Sequence, residues 1–302
     1  MSFSIGIAPL DTLTLQALLP FAALLASVVA IWLPFRFAWP ALFAVAVIVG
    51  YVVGVLSGPA IIPIAVLAAA GWFYCAQKQA TAVFTAKRVL AAIVVFVVAL
   101  LLGFHIFPGF NNPIYVKDLL VSPGAKPLTS RLTFDIWAAG VLVLGFCYEG
   151  TIRTGRELVD ALKRAWPVIV INVAVLVPMA LILGFVRPDP KWISFFWTWA
   201  VVQLFFVIMT EEAFFRGFVQ RELSAYLGKV KWGLWMAIGI TSVLFGISHF
   251  AAGMAYVLLA TVAGVGYGIA FQRSGRIEMS MLAHFAVNTT RFLFFTYPFL
   301  AR

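Results

Sequence analysis

The stretch FFVIMTEEAFFRGFVQRELSAYLG, residues 205–228, decides how this chain is read. It opens as an apolar run, then sets two adjacent carboxylates, Glu211 and Glu212, ahead of Arg216. At about 100° per residue, Glu212 and Arg216 share one face of a helix, in the favoured order for an ion pair one turn apart. Glu211 points about 100° away from its neighbour and is less able to meet Arg216. One carboxylate therefore has a partner on its own helix and the other is the better candidate for chemistry. The bland alternative is that both are solvated at a helix end. The run GFVQRELSAYLG reads as continuing helix to about Leu227, closed by Gly228 as a C-cap. That reading carries Glu211 deep into the membrane; the alternative is that the short-looped pair 232–272 forms a hairpin that does not cross fully.

The rest of the chain supports a membrane setting. Of its 302 residues, 64% are hydrophobic and 11% are charged. A soluble domain carries about 25% charged residues. Ten apolar segments are expected, at roughly 12–34, 38–57, 60–77, 89–107, 133–149, 166–186, 193–212, 232–250, 253–272 and 278–297. The fold class is an all-α, polytopic transmembrane helical bundle of about ten helices. A membrane barrel would show short alternating segments instead.

The formal charge of +10 fits topology better than nucleic-acid binding. Lys and Arg collect in alternate connections, fourteen on one side against six on the other, with Arg291 inside the last segment. The positive-inside rule then places both termini outside. Cys75 and Cys147 lie in or beside apolar runs and read as packing residues. A polar stretch rich in Pro, Gly and Asn, 108–132, breaks helix structure. It separates an N-terminal region, 1–107, from a six-helix core, 133–302.

Polar groups inside apolar segments are functional candidates, because burying them costs several kcal/mol unless they are paired. The chain has three histidines, and the last two, His249 and His284, fall in expected membrane helices of the C-terminal part. Phe245 and His249 are one turn apart. His284 and Asn288 are one turn apart, with Arg291 on the same stripe. Each taken alone has an ordinary reading as packing or as interhelical hydrogen bonding. Together they place a carboxylate, two imidazoles and a carboxamide on three helices. A Glu–His pair can activate water, and His plus Asn can donate to an oxyanion. Two histidines and a glutamate could also hold zinc, but HExxH is absent and metal is the second choice.

Glu211-Glu212-x-x-x-Arg216, Phe245-x-x-x-His249 and His284-x-x-x-Asn288, in that order, resemble the CPBP family of intramembrane proteases, the CAAX prenyl protease type II and bacteriocin-processing enzymes, over roughly residues 133–302. The resemblance implies that Glu211 activates water together with His249. It implies that His284 and Asn288 stabilise the oxyanion, and that Glu212 and Arg216 support the first motif. No cofactor is favoured. The implied activity is hydrolysis of a peptide bond in a membrane-embedded or lipid-anchored peptide or protein. A bacterial cytoplasmic membrane, with the site opening to the cytoplasmic side, is the expected location. The bilayer and the substrate are the expected partners, without nucleic acid. Alternatives are a non-catalytic immunity or scaffold protein on the same fold, a metal-dependent protease, and a transporter. The last lacks a continuous ionisable track or an inverted repeat.

Overall fold

The computed structural model describes residues 15–80 and 85–301. The start of the first expected segment, 12–14, and Arg302 lie outside the described residues. Ten helices form among the described residues: α1 (Leu15–Ala30), α2 (Ala38–Val52), α3 (Gly58–Ala80), α4 (Ala86–Gly103), α5 (Phe134–Cys147), α6 (Gly155–Ile182), α7 (Phe196–Leu227), α8 (Gly233–Ile247), α9 (Met254–Ser274) and α10 (Ile277–Phe294). Five of them, α3, α4, α6, α7 and α9, are long and apolar enough to cross a membrane. Large apolar side chains such as Val170, Ile171, Trp235 and Val243 face outward, while Glu212, Arg216, Gln220 and His284 are buried. That distribution suits a lipid surround and a polar interior.

The chain divides into two compact units: residues 1–120 with 127–149, and residues 121–126 with 150–302. The sequence reading placed α5 at the start of the core. By compactness it groups with α1–α4 instead. In that first unit α5 is the central helix. It is buried almost all round, as expected of a helix without a polar face. Phe21 of α1 packs edge-on against Phe134 and Trp137, and Trp39 of α2 against Phe146. The polar stretch before α5 holds a two-stranded antiparallel ribbon, β1 (Ile114–Leu119) with β2 (Leu128–Arg131), where the sequence suggested only irregular chain. At the start of α5, Asn112 accepts from the Phe134 amide and donates to Asp135, which also meets Nδ1 of His105.

In the second unit α9 packs against α6, α8 and α10, and α7 packs against α8, α9 and α10. Helix α6 starts eleven residues earlier than its apolar run suggested. Thr154 accepts from the Glu157 amide at 3.2 Å, and the Glu157 carboxylate turns back to the Arg153 amide at 2.8 Å. Those two bonds satisfy the first turn and extend the helix into polar sequence. At the opposite end, residues 187–191 run along 293–296. Asp189 and Lys191 amides donate to Phe294 and Leu293 carbonyls, and Thr296 donates to Arg187.

Helix α7 runs 32 residues, about 48 Å at 1.5 Å per residue. It reaches Leu227 as expected, but Gly228 is not a left-handed cap: its φ of −60° is helical. The glycine that the α7–α8 turn requires is Gly233, where a Cβ would collide with the Leu227 carbonyl. Arg216, one of the fourteen basic residues assigned to connections from the sequence, lies inside α7 and is fully buried.

Candidate active site

Helix α7 carries π-helical turns at Gln203–Ile208 and Ala213–Gln220, on either side of the four residues Met209–Glu212. Such widened turns recur at functional sites, because they re-aim side chains within a continuous helix. Here the two adjacent glutamates take different environments. Glu212 is fully buried, and its Oε1 accepts from Nη1 of Arg216 at 3.1 Å and meets Nδ1 of His284 at 2.9 Å. Glu211 is 24% exposed, and its two oxygens lie 3.7 Å from Nε2 of His249 and 3.8 Å from Nε2 of His284.

Arg216 is held from three sides. Its Nη2 donates to the carbonyl of Gly264 on α9 at 3.1 Å, and the guanidinium lies over the rings of Phe245 and Tyr267. One turn along, Gln220 donates to the carbonyl of Gly268 at 3.0 Å. Two side chains one turn apart on α7 thus meet two backbone carbonyls one turn apart on α9. Glycine at both positions lets the helices approach, since a Cβ at Gly268 would sit 2.7 Å from Gln220.

His249 falls just past the end of α8, not within the helix as the apolar run suggested. Ser248 Oγ and the His249 amide turn back to the Phe245 and Gly246 carbonyls, tightening the last turn, and a short 3₁₀ turn, Phe250–Ala252, follows. Nδ1 of His249 lies 2.8 Å from the Phe245 carbonyl. A carbonyl only accepts, so Nδ1 carries the hydrogen and Nε2 of the neutral ring faces Glu211 as an acceptor. The Phe245 ring packs edge-on against His249.

His284 stacks on Tyr267, with centroids 4.4 Å apart. Asn288, one turn further along α10, does not reach the glutamates; it donates to Gln203 of α7 at 3.1 Å. The structure thus brings together Glu211, Glu212, Arg216, His249 and His284, and places Asn288 beside them on the same stripe as Arg291. Sequence reasoning missed Gln203, Tyr267 and Gly264. A survey of ionisable residues passes over neutral amides, and Gln203 is one of few polar residues in its apolar run.

A cavity of about 80 Å³ adjoins the cluster, lined by His249, His284, Asn288, Arg291, Tyr256 and Tyr267 among mostly apolar residues of α6, α9 and α10. Glu211 does not line it; its carboxylate meets the cavity wall at the two histidines. The lining comes from those halves of α6, α9 and α10 that lie away from the basic ends at Arg153–Arg164 and Arg273–Arg276. Toward those basic ends the bundle is filled by Arg216 and Gln220, 0% and 1% exposed. The cavity therefore lies toward the ends of these helices opposite the basic connections. The long α7 is the reason, since it carries Glu211 beyond that closed layer.

A zinc ion would need at least three nitrogen, sulfur or oxygen donors at about 2.0–2.3 Å. Among the described residues no group of three His, Cys, Asp or Glu is placed to hold one ion.

Fold and site define an integral membrane protein with a polar, ionisable cluster buried among its helices. Residues 192–290 match the family model of the Rce1-like proteins, described as type II CAAX prenyl endopeptidase Rce1-like, consistent with the CPBP family. The matched segment spans about a third of the chain and contains Glu211, Glu212, Arg216, His249, His284 and Asn288. No curated protein and no solved structure matches the chain.

Proposed function

We propose that the protein is an intramembrane endopeptidase that hydrolyses a peptide bond by glutamate-assisted attack of water. The observation that carries this reading is the gap between Glu211 and His249. Their 3.7 Å separation is too long for a direct hydrogen bond, and a water seated to one side of the pair can touch both. With Nδ1 of His249 donating to Phe245, both partners across the gap are acceptors. A water there donates to both and turns a lone pair outward. As the oxygen bonds to the substrate carbonyl carbon, Glu211 takes its proton and passes it to the departing amine while the C–N bond breaks.

Two donors face the negative oxygen that forms. Asn288 commits one N–H to Gln203 and keeps a second. His284 gives its Nδ1 hydrogen to Glu212, so it donates from Nε2 as the imidazolium. In that form Glu211, Glu212, Arg216 and His284 sum to zero charge, which suits a site sunk in apolar surroundings. Glu212 and Arg216 act through His284, as positioning residues.

The substrate class is a peptide or protein with an apolar or lipid-bearing end, presented from the membrane. Its approach is from the side away from the basic connections. Bacterial cytoplasmic membrane is the proposed location.

The test is cleavage of a pool of apolar peptides by the purified protein in lipid nanodiscs, read by mass spectrometry. Glu211→Gln and His249→Ala are expected to lower the rate at least a hundredfold, and a strong chelator to leave it unchanged. Wild-type rates in both variants would show that the cluster is not catalytic. Loss of activity with chelator, restored by zinc, would replace the metal-free step.

A further inference from the structure

Arg291 is the one charged group in the cavity wall that the proposed hydrolysis does not use. It stands in the last turn of α10, one residue beyond the segment matched by the family model. Its guanidinium carbon lies 5.4 Å and 5.3 Å from the ring centroids of Tyr256 and Tyr297, and both phenols interact with it. No described Asp or Glu forms an ion pair with it, and its Nε is buried without a hydrogen-bond partner. A last-turn arginine can simply offset the helix dipole. That role asks for solvent, whereas this side chain is partly buried, clamped between two rings and set in a cavity wall.

An uncompensated guanidinium in an apolar cavity is a receptor for an oxyanion, and its planar donor fork matches a carboxylate. Along α10, Arg291 is seven residues from His284, about 10 Å by helical rise. That is too far to touch the reacting carbonyl. It is a distance that a few residues of extended peptide cover, at about 3.3 Å each.

We propose that Arg291 binds the C-terminal carboxylate of the peptide substrate and so sets how far from that end the cut falls. The assignment rests on the peptidase reading for its substrate, but not for its binding chemistry. Tyr256 and Tyr297 hold the guanidinium in place, and apolar residues of α6 and α9 line the wall beside it. The same fork would accept the phosphate of an anionic lipid, and the experiment separates the two.

Immobilised Glu211→Gln protein, in nanodiscs of phosphatidylcholine, is exposed to a randomised apolar peptide pool made as free acids and as C-terminal amides. Retained peptides are counted by mass spectrometry. Free acids are expected to be enriched at least tenfold over amides. The preference should vanish in Glu211→Gln/Arg291→Gln and persist in part in Glu211→Gln/Arg291→Lys, which keeps the charge and reports on folding. Equal retention of acids and amides, retention of neither, or a preference that survives without Arg291 overturns the assignment. So does an acid preference abolished by phosphatidylglycerol in Glu211→Gln and Glu211→Gln/Arg291→Lys alike, which would make the site a lipid contact. The outcomes also separate from those of the hydrolysis reading. Acid-selective binding without cleavage by the wild type removes hydrolysis and leaves Arg291, and cleavage without end-group preference does the reverse.

Discussion

Nδ1 of His284 lies 2.9 Å from Oε1 of Glu212, a residue 72 positions earlier in the chain. The contact ties α10 to α7 at the depth where Arg216 already neutralises the same carboxylate. It makes Glu212 the hub of a buried triad and leaves Glu211 as the partly exposed carboxylate beside the cavity wall.

The two glutamates should therefore fail differently. Removing one partner of a buried ion pair costs about 3–5 kcal/mol, because the other charge is left uncompensated. Glu212→Gln is expected to lower the melting temperature sharply, and Glu212→Gln/Arg216→Met to recover part of the loss. Glu211→Gln should melt close to wild type while losing turnover. Thermal unfolding in detergent, run beside a cleavage assay, checks both. Equal destabilisation by the two single substitutions would contradict the division of roles.

Packing of α6 on α9 gives a second expectation. A Cβ at Gly266 would overlap the amide of Asn172, whose Nδ2 lies 3.4 Å from the Ala263 carbonyl. Gly266→Ala is expected to destabilise the protein by about 1–3 kcal/mol, the usual cost of overpacking. Shortening the partner in Gly266→Ala/Asn172→Ala should restore much of it. An unchanged melting temperature in Gly266→Ala would mean the helices are not this close.

His105 and Asp135 predict a pH effect in the first unit. The hydrogen bond to Asp135 holds the His105 imidazole above its ordinary 6.5, against some loss of hydration. A raised value means the folded state binds the proton more tightly, so the contribution is complete below about 6.5 and is lost as pH rises through the folded value. His105 is 48% exposed, so solvent screening keeps the effect small. Wild-type protein should lose more thermal stability than His105→Gln as pH rises from about 6 to 8. Parallel curves for the two proteins would remove the pair from consideration.

Sidedness is open to direct labelling. With Cys75 and Cys147 replaced, a cysteine at Lys191 should react with an impermeant maleimide in intact cells. A cysteine at Lys229 should react only after permeabilisation. The opposite pattern would put the cavity on the cytoplasmic face.

Much of the architecture was legible along the chain. Ten apolar runs became ten helices, because a segment in lipid must satisfy its own backbone, and a helix does so locally. The separation of Glu212 from Glu211 was also legible, since angular spacing on one helix needs no other part of the molecule. Less visible was where helices begin and end. Thr154 and Glu157 extended α6 into polar sequence, and Ser248 with His249 closed α8 early, through side-chain hydrogen bonds that hydropathy does not register.

By itself, then, the sequence determined the membrane class, the helix count and the set of ionisable residues that had to find partners. Tertiary structure decided who those partners are. Arg216 meets Gly264, Asn288 meets Gln203, and His284 lies between Tyr267 and Glu212. It also decided which side of the bundle is packed and which is hollow. The physical reason is that α7 runs for 32 residues, and glycines on α9 let it approach until Arg216 and Gln220 fill one end. Such contacts depend on helix register and approach distance, and neither is written in the spacing of residues along one strand of chain.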